Sequence, residues 1–368
     1  MQQVNAAIAA GTWPRPPAGL YGWGNNGSGQ LGLNNTTNYS SPKQVGLLVT
    51  WSKLSAGSSH VALIKTDGTL WTWGDGGSGR LGLGNTTPYS SPKQVGALTT
   101  WLNASAGSYH TLATQTNGTL WAWGKGSFGS LGLNNTTNYS SPKQVGSLTS
   151  WLTVTAGFYR SFAIKTDGTL WAWGYNDTGV LGLGNITDYS SPKQVGALTN
   201  WSTASFGQVH AISTKTDGTL WAWGDNSYGQ LGQGNITNRS SPVQIGALTT
   251  WASSSASVAS SASTTTGGTL YAWGSNLVGE LGLGNLTNYS SPKQIGALTN
   301  WSIIKGGSGG AFYVSLKTNG TMWSWGSNNS GRLGLGDITD RSSPAQIGSA
   351  TTWTTIATGQ NFALAIRT

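Results

Sequence analysis

The sequence predicts an all-β fold, a seven-bladed β-propeller of four-stranded antiparallel blades, with N- and C-terminal strands closing the ring in one shared blade. Three observations carry this. Gly-Thr-Leu-Trp-Ala-Trp-Gly stands at 118–124, 168–174 and 218–224, with near copies at 68–74, 268–274 and 320–326 and a worn one in Leu20-Tyr21-Gly22-Trp23-Gly24. Seven copies at a spacing close to fifty residues mark stacked supersecondary units. Each unit reads as four short strands, and each end of the chain holds only half a unit.

The unit over 101–146 shows the elements in order. Residues 101–106 form a first strand, and Gly107-Ser108-Tyr109-His110 turns into a second strand over 111–116, rich in β-branched and small residues. Asn117-Gly118 then signals a two-residue hairpin, as do Asp67-Gly68, Asp167-Gly168, Asp217-Gly218 and Asn319-Gly320. The third strand, 119–123, places Trp121 and Trp123 on one face and Leu120 and Ala122 on the other, because side chains alternate along a strand. A strand apolar on both faces belongs between two layers, as when one blade packs on the next. A Gly-rich connection over 124–139 leads through Ser140-Ser141-Pro142 to a fourth strand over 143–146, where proline suits an outer edge. Residues 353–368 supply the first two strands of a unit and 20–46 the last two. Joining them removes the exposed sheet edge of an open array.

Two segments result: an N-terminal tail over 1–17, extended at Trp13-Pro14-Arg15-Pro16-Pro17 because each proline fixes φ and biases its predecessor, and a propeller over 18–368. Only 8% of residues are charged, against about 25% in an average domain, so Ser, Thr, Asn and Gln must provide solubility. Twenty tryptophans give the burial that disordered segments lack. The absence of cysteine excludes disulfides and thiolate chemistry. No run approaches the roughly 18 apolar residues of a membrane helix, so no membrane insertion is expected. The N-terminus lacks the basic region of a secretory leader, which favours a virion or the cytoplasm over export. A net charge of +9 is spread thinly over a nearly uncharged chain, so nucleic acid is not the expected partner.

Trp-Gly-x-Asn-x-x-Gly-Gln-Leu-Gly at 23–32 and 223–232, Gly-x-x-His at 107–110 and the Asp-Gly hairpin before the tryptophan strand together resemble the regulator of chromosome condensation repeat over 18–368. The resemblance implies the propeller. The name-giving members of the family this chain resembles are guanine-nucleotide exchange factors, which present loops, a protruding wedge and acidic residues to a small GTPase. Here the units are nearly uniform, the largest insertion is two residues between Gly307 and Lys317, and the ten acidic residues are scattered singly. Exchange activity is therefore not the expectation. Other members of the family are plain binding modules.

Catalysis is not expected either. His60, His110 and His210 occupy equivalent positions in different blades, and no serine or carboxylate recurs beside them as a triad. Asp337 and Asp340 share a loop but offer too few oxygen ligands for calcium, so neither metal nor cofactor is expected. Lys43, Lys93, Lys143, Lys193 and Lys293 recur on the fourth strand; a ring of lysines there could grip a polyanion, but the expected role is to protect an edge with charge. Asn35, Asn85, Asn135, Asn185, Asn235 and Asn285 begin glycosylation sequons that serve equally as loop residues bonding local backbone.

Variation among the repeats points to a binding site. In a four-stranded antiparallel blade the first and third connections share one face. The opposite face, with its Asp-Gly hairpins and Gly-Ala-Leu-Thr turns, barely changes from unit to unit. Differences gather on the first face, before each histidine position and after each Trp-Gly. Three successive units there carry Tyr109, His110 and Phe128, then Phe158, Tyr159, Arg160 and Tyr175, then Tyr228. Aromatics with an arginine are what interface hot spots favour, and these eight are the candidate partner-binding residues. The competing reading is that the rings pack their loops onto their own blades. The partner expected is a protein, with a surface glycan as the alternative, the chain then serving as an adhesin, lectin or phage attachment protein.

Overall fold

The computed structural model describes residues 18–47 and 50–368, so the 1–17 tail lies outside the described residues. Seven four-stranded antiparallel sheets make up the ring. The second is built from Trp101–Ala106, His110–Gln115, Leu120–Gly124 and Tyr139–Gln144 in spatial order. The seventh joins both ends of the chain: Trp353–Thr358 and Phe362–Arg367 pair on to Gly19–Gly24 and Tyr39–Gln44. Its closing register sets Leu20 against Ile366 and Trp23 against Ala363. The first strands line an axial channel of about 390 Å³, and the fourth strands form the outer rim.

Two local expectations need correction. The hairpins have three-residue loops rather than two. Gly118 N–H donates to the Gln115 carbonyl at 2.9 Å and Gln115 N–H to the Thr119 carbonyl at 3.1 Å, with the left-handed residue at Gly118 (φ +77°). A type I turn closed by a left-handed glycine needs only one positive φ, whereas the two-residue primed turn needs it at Asn117 too. The Asn117 side chain instead accepts from Thr119 N–H at 3.1 Å. The fourth strand also begins earlier, at Tyr139, which pairs with Gly124. The register shifts before Lys143 meets Ala122, and Pro142 falls in that irregular stretch, where a missing N–H breaks no ladder.

The core lies between blades. Trp23, Trp73, Trp123, Trp173, Trp223, Trp273 and Trp325, one from each third strand, are all 0% exposed. Each indole N–H donates to a carbonyl of the preceding blade at 2.8–3.0 Å, as Trp123 does to Arg80 and Trp173 to Ser130. Burying one such side chain contributes on the order of 5 kcal/mol of gross apolar stabilisation, and the hydrogen bond fixes its register. The Leu-Gly of the repeat motif exists for this seam: Gly82, at φ +72°, faces the Trp123 ring so closely that a Cβ there would sit 2.7 Å from Nε1. On the rim, Lys43, Lys93, Lys143, Lys193 and Lys293 lie 5.4–5.6 Å above the tyrosine that opens each fourth strand. The sequon asparagines fold their own loops, Asn85 and Asn135 each accepting from the N–H two residues on at 3.0 Å.

Candidate functional site

The first connection of a blade and its third emerge together, and on the second and third blades these loops bring five of the candidate aromatics into one cluster. Tyr109 stacks on Tyr159 at 4.8 Å between ring centroids, and Phe158 meets both edge-on at 5.3 and 4.7 Å. Phe128 continues the row, 5.3 Å from Tyr159 and 4.4 Å from Tyr175. Every pairing except Phe158 with Tyr159 joins the second blade to the third. Phe128 is 41% exposed and the other four rings are half-buried, so the cluster both bridges two blades and presents a surface.

Cations bracket the rings. Lys125 Nζ lies 5.1 Å from the Tyr109 centroid and 5.2 Å from that of Tyr159, and bonds the Tyr159 hydroxyl at 3.3 Å. Arg80 sits 5.2 Å from Tyr109 and Arg160 5.6 Å from Tyr175, within range of the ring quadrupoles. Arg80 is anchored by Asp75 at 3.1 Å and by the Ser108 carbonyl at 3.0 Å. Burial, and then the neighbouring Tyr159, push the Tyr109 hydroxyl above its usual range. At Tyr175 the hydrogen bond to Asp177 does the same.

Two candidates lie beneath this surface rather than on it. Arg160, 2% exposed, donates to the Gln208 carbonyl of the next blade, and burial lowers its pKa to about 10. His110 is fully buried and belongs to a repeated junction. Its Nε2 lies 2.9 Å from Ser161 Oγ, which donates to the Ser130 carbonyl at 2.8 Å. That carbonyl also receives the Trp173 indole. Because the serine proton is committed to the carbonyl, the histidine must be the donor, so its Nε2 carries the hydrogen. The same chain runs from His60 through Thr111 to the Arg80 carbonyl, and from His210 through Ser261 to that of Gln230. Burial, then the charge of Arg80, hold His110 down to about 3. Burial also depresses His210 to about 3 and His60 well below the ordinary imidazole value. These histidines tie blades together.

Tyr228, 42% exposed, stands apart on the fourth blade, with no ring pairing among the described residues. Lys125 and Arg80 are what sequence reasoning passed over. The signal for Lys125 was available, since it is the residue after Trp-Gly, where other units carry Asn25, Asp75, Tyr175 or Asp225. Asp337 and Asp340 are engaged locally, by Arg341 at 2.6 Å and by the Asn328 amide at 2.6 Å. No helix among the described residues is long and apolar enough to cross a membrane.

A closed ring of tryptophan-seamed blades, with its variable loops gathered on one face, defines a tandem-repeat β-propeller. The RCC1-like domain family matches residues 18–264, and the regulator of chromosome condensation (RCC1) repeat matches 267–316 and 319–366. The chain belongs to the RCC1 repeat family. Among solved structures it is similar to human WBSCR16, at 20% identity and a TM-score of 0.85, covering 96% of this chain and 99% of that one. It is also similar to Prp20p of Saccharomyces cerevisiae, at 19% identity and a TM-score of 0.84, covering 96% and 92%. The yeast RCC1 (Prp20) structure with bound Kap60 matches at 19% identity and a TM-score of 0.83, covering 96% and 89%. These likenesses concern the fold. Comparison with curated protein sequences gives no match.

Proposed function

We propose that this propeller is a non-catalytic binding module that holds a protein partner on the loop face of its second and third blades. The observation that supports this is the continuous row Tyr109, Tyr159, Phe128 and Tyr175, flanked by Phe158 and bracketed by Lys125, on the face where the repeats diverge. Rigid aromatic anchors beside a cation are the usual energetic centre of a protein interface. Prp20p, of similar fold, is described by its binding to Gsp1p and histones and by a complex with Kap60, which gives a precedent for protein partners but no identity for this one.

The test is a double substitution, Phe128→Ala with Tyr159→Ala, compared with the native chain in affinity capture from the source organism. Loss of the captured partner, with a melting temperature within a few degrees of the native chain, is the expected result. Unchanged capture would overturn the reading. Arg160 is unsuited to this test because its removal strips the Gln208 carbonyl of a buried donor.

A second reading, a glycan-binding adhesin of the kind that would serve virion attachment, draws on a different feature. Clefts of 360–450 Å³ recur between blades, each lined by the aromatic pair of one blade and a leucine and proline, as in Trp101, Trp121, Leu98 and Pro142. Flat aromatic walls in repeated sites suit sugar rings bound multivalently. A glycan array without hits would dismiss it.

A further inference from the structure

The axial channel is walled by the first strands, and its lining is almost entirely Ser, Thr, Ala and other uncharged residues. Among the described residues Lys305 is the one charged residue in that lining, and no carboxylate joins it. It is accessible, and among the described residues it has no hydrogen-bond or ion-pair partner. The other first-strand lysine, Lys53, is paired, donating to Asn103 Oδ1 at 2.9 Å. Desolvation within the channel lowers the Lys305 pKa from the ordinary ammonium value, although the side chain stays open to the channel.

The place of Lys305 in the repeat explains why it is unpaired. At the equivalent position Ser55, Ser105, Ser205 and Ser255 turn their hydroxyls to the next blade. They accept from the amides of Ala106, Ala156, Ala256 and Gly306 at 2.9, 2.9, 3.1 and 2.9 Å. Thr155 uses its hydroxyl differently, donating to the Ala204 carbonyl at 3.0 Å. Lysine has no acceptor, so Lys305 cannot cap the corresponding amide, that of Thr358. At the next junction the position is Ala357, which has no hydroxyl with which to cap the Ala56 amide. Thr358 and Ala56 both line the channel. One sector, over the sixth, seventh and first blades, therefore combines an unpaired ammonium with two backbone amides that lack the hydroxyl cap found at four other junctions.

We propose that this sector of the channel binds a small tetrahedral oxyanion, of the phosphate or sulfate class, on Lys305 with the Thr358 and Ala56 amides as further donors. An ammonium and backbone N–H groups in an otherwise neutral channel wall are the elements of an anion site. The site lies on the axis, separate from the aromatic cluster, and does not depend on the partner-binding reading.

Thermal unfolding of the full chain, with chloride replaced by inorganic phosphate or sulfate at fixed ionic strength, tests this. Both anions stabilise proteins non-specifically through exclusion, an effect that grows steadily with concentration. A site adds stabilisation that rises steeply at low millimolar anion and follows the logarithm of one plus concentration over Kd. The native chain should show this component. Lys305→Ser, the residue found at four equivalent positions, should weaken binding at least tenfold and leave only the steady rise, while Lys305→Arg should keep the response. Independently, the NMR signal of 13C-methylated Lys305 should shift as phosphate is added. An identical response in native chain and Lys305→Ser, or a Lys305 signal indifferent to both anions, would overturn the proposal.

Discussion

The indole N–H of Trp123 reaches across a blade junction to the carbonyl of Arg80 at 3.0 Å, and the same oxygen receives the Thr111 hydroxyl at 2.8 Å. One backbone acceptor thus gathers two side chains of the following blade, and His60 in turn donates to Thr111. Two repeats are locked by apolar burial and by a short polar chain that can form only where the two blades are packed together.

Trp123→Ala and Trp123→Phe separate these contributions. The alanine variant loses a ring buried to 0% exposure and leaves a cavity, an expected cost of about 3–5 kcal/mol. The phenylalanine variant keeps most of the burial, and the Arg80 carbonyl keeps Thr111 as a donor, so the cost should be only about 1–2 kcal/mol. Urea unfolding measures both. Equal losses would mean that the hydrogen bond, rather than the ring, dominates the seam.

The buried histidines set the response to acid. Their folded pKa values are depressed, to about 3 for His110 and His210 and well below normal for His60, while the unfolded chain titrates near 6.5. Below about pH 6.5 the unfolded chain therefore takes up protons first. Stability is fully present above that pH and is lost progressively on acidification toward about pH 3. The carboxylates contribute only at lower pH, so the interval from about 6.5 to 4.5 isolates the histidines. Each should remove about 1.4 kcal/mol per pH unit there. Unfolding free energies that stay flat across that interval would contradict the buried neutral assignment, and His210→Gln should reduce the slope by one proton's worth.

The fold was legible because its determinants are repeated and local. Trp-x-Trp on a strand apolar on both faces requires a blade on either side, and half units at the two ends require each other. Turn detail was less legible. Asn117-Gly118 suits two hairpin geometries, and only the hydrogen bond from Gly118 to Gln115 distinguishes them. At the site, divergence between repeats singled out five rings that do meet. Divergence alone says nothing about depth, however. Arg160 differs from the histidine of its neighbours, yet it is buried like them, because both residue types serve the junction to the next blade. Lys125 was obscured by the opposite circumstance, a charged loop residue whose meaning comes only from the two rings it lies between.

Ring closure should be cooperative. Residues 353–367 hold the two inner strands of the seventh blade, and Gly19–Gly24 pairs on to Phe362–Arg367 over six residue pairs. Deleting 354–368 leaves Gly19–Gly24 as an open edge and uncovers apolar surface on both adjoining blades, so aggregation or loss of the whole fold is expected. A truncated chain that remains monomeric in analytical ultracentrifugation, with the native melting temperature, would show that the blades stand without closure.

Backbone strain offers a way to distinguish binding from packing at Phe128. Its φ is +59°, a left-handed conformation shared with Ser78 (φ +58°) and Ser330 (φ +63°) at the same position of other repeats. A non-glycine residue in that region costs on the order of 1–2 kcal/mol. Ser330→Gly should therefore stabilise the chain, by about 0.5–1 kcal/mol after the greater entropy of an unfolded glycine is counted. Phe128→Gly gains the same relief but loses ring contacts to Tyr159 and Tyr175, worth about 0.5–1.5 kcal/mol each. Its net change in stability should be a loss of at most about 2.5 kcal/mol, and partner capture should fail because the most exposed ring of the cluster is gone. Larger destabilisation with capture intact would assign Phe128 to holding two blades together and would move the binding site elsewhere on the loop face.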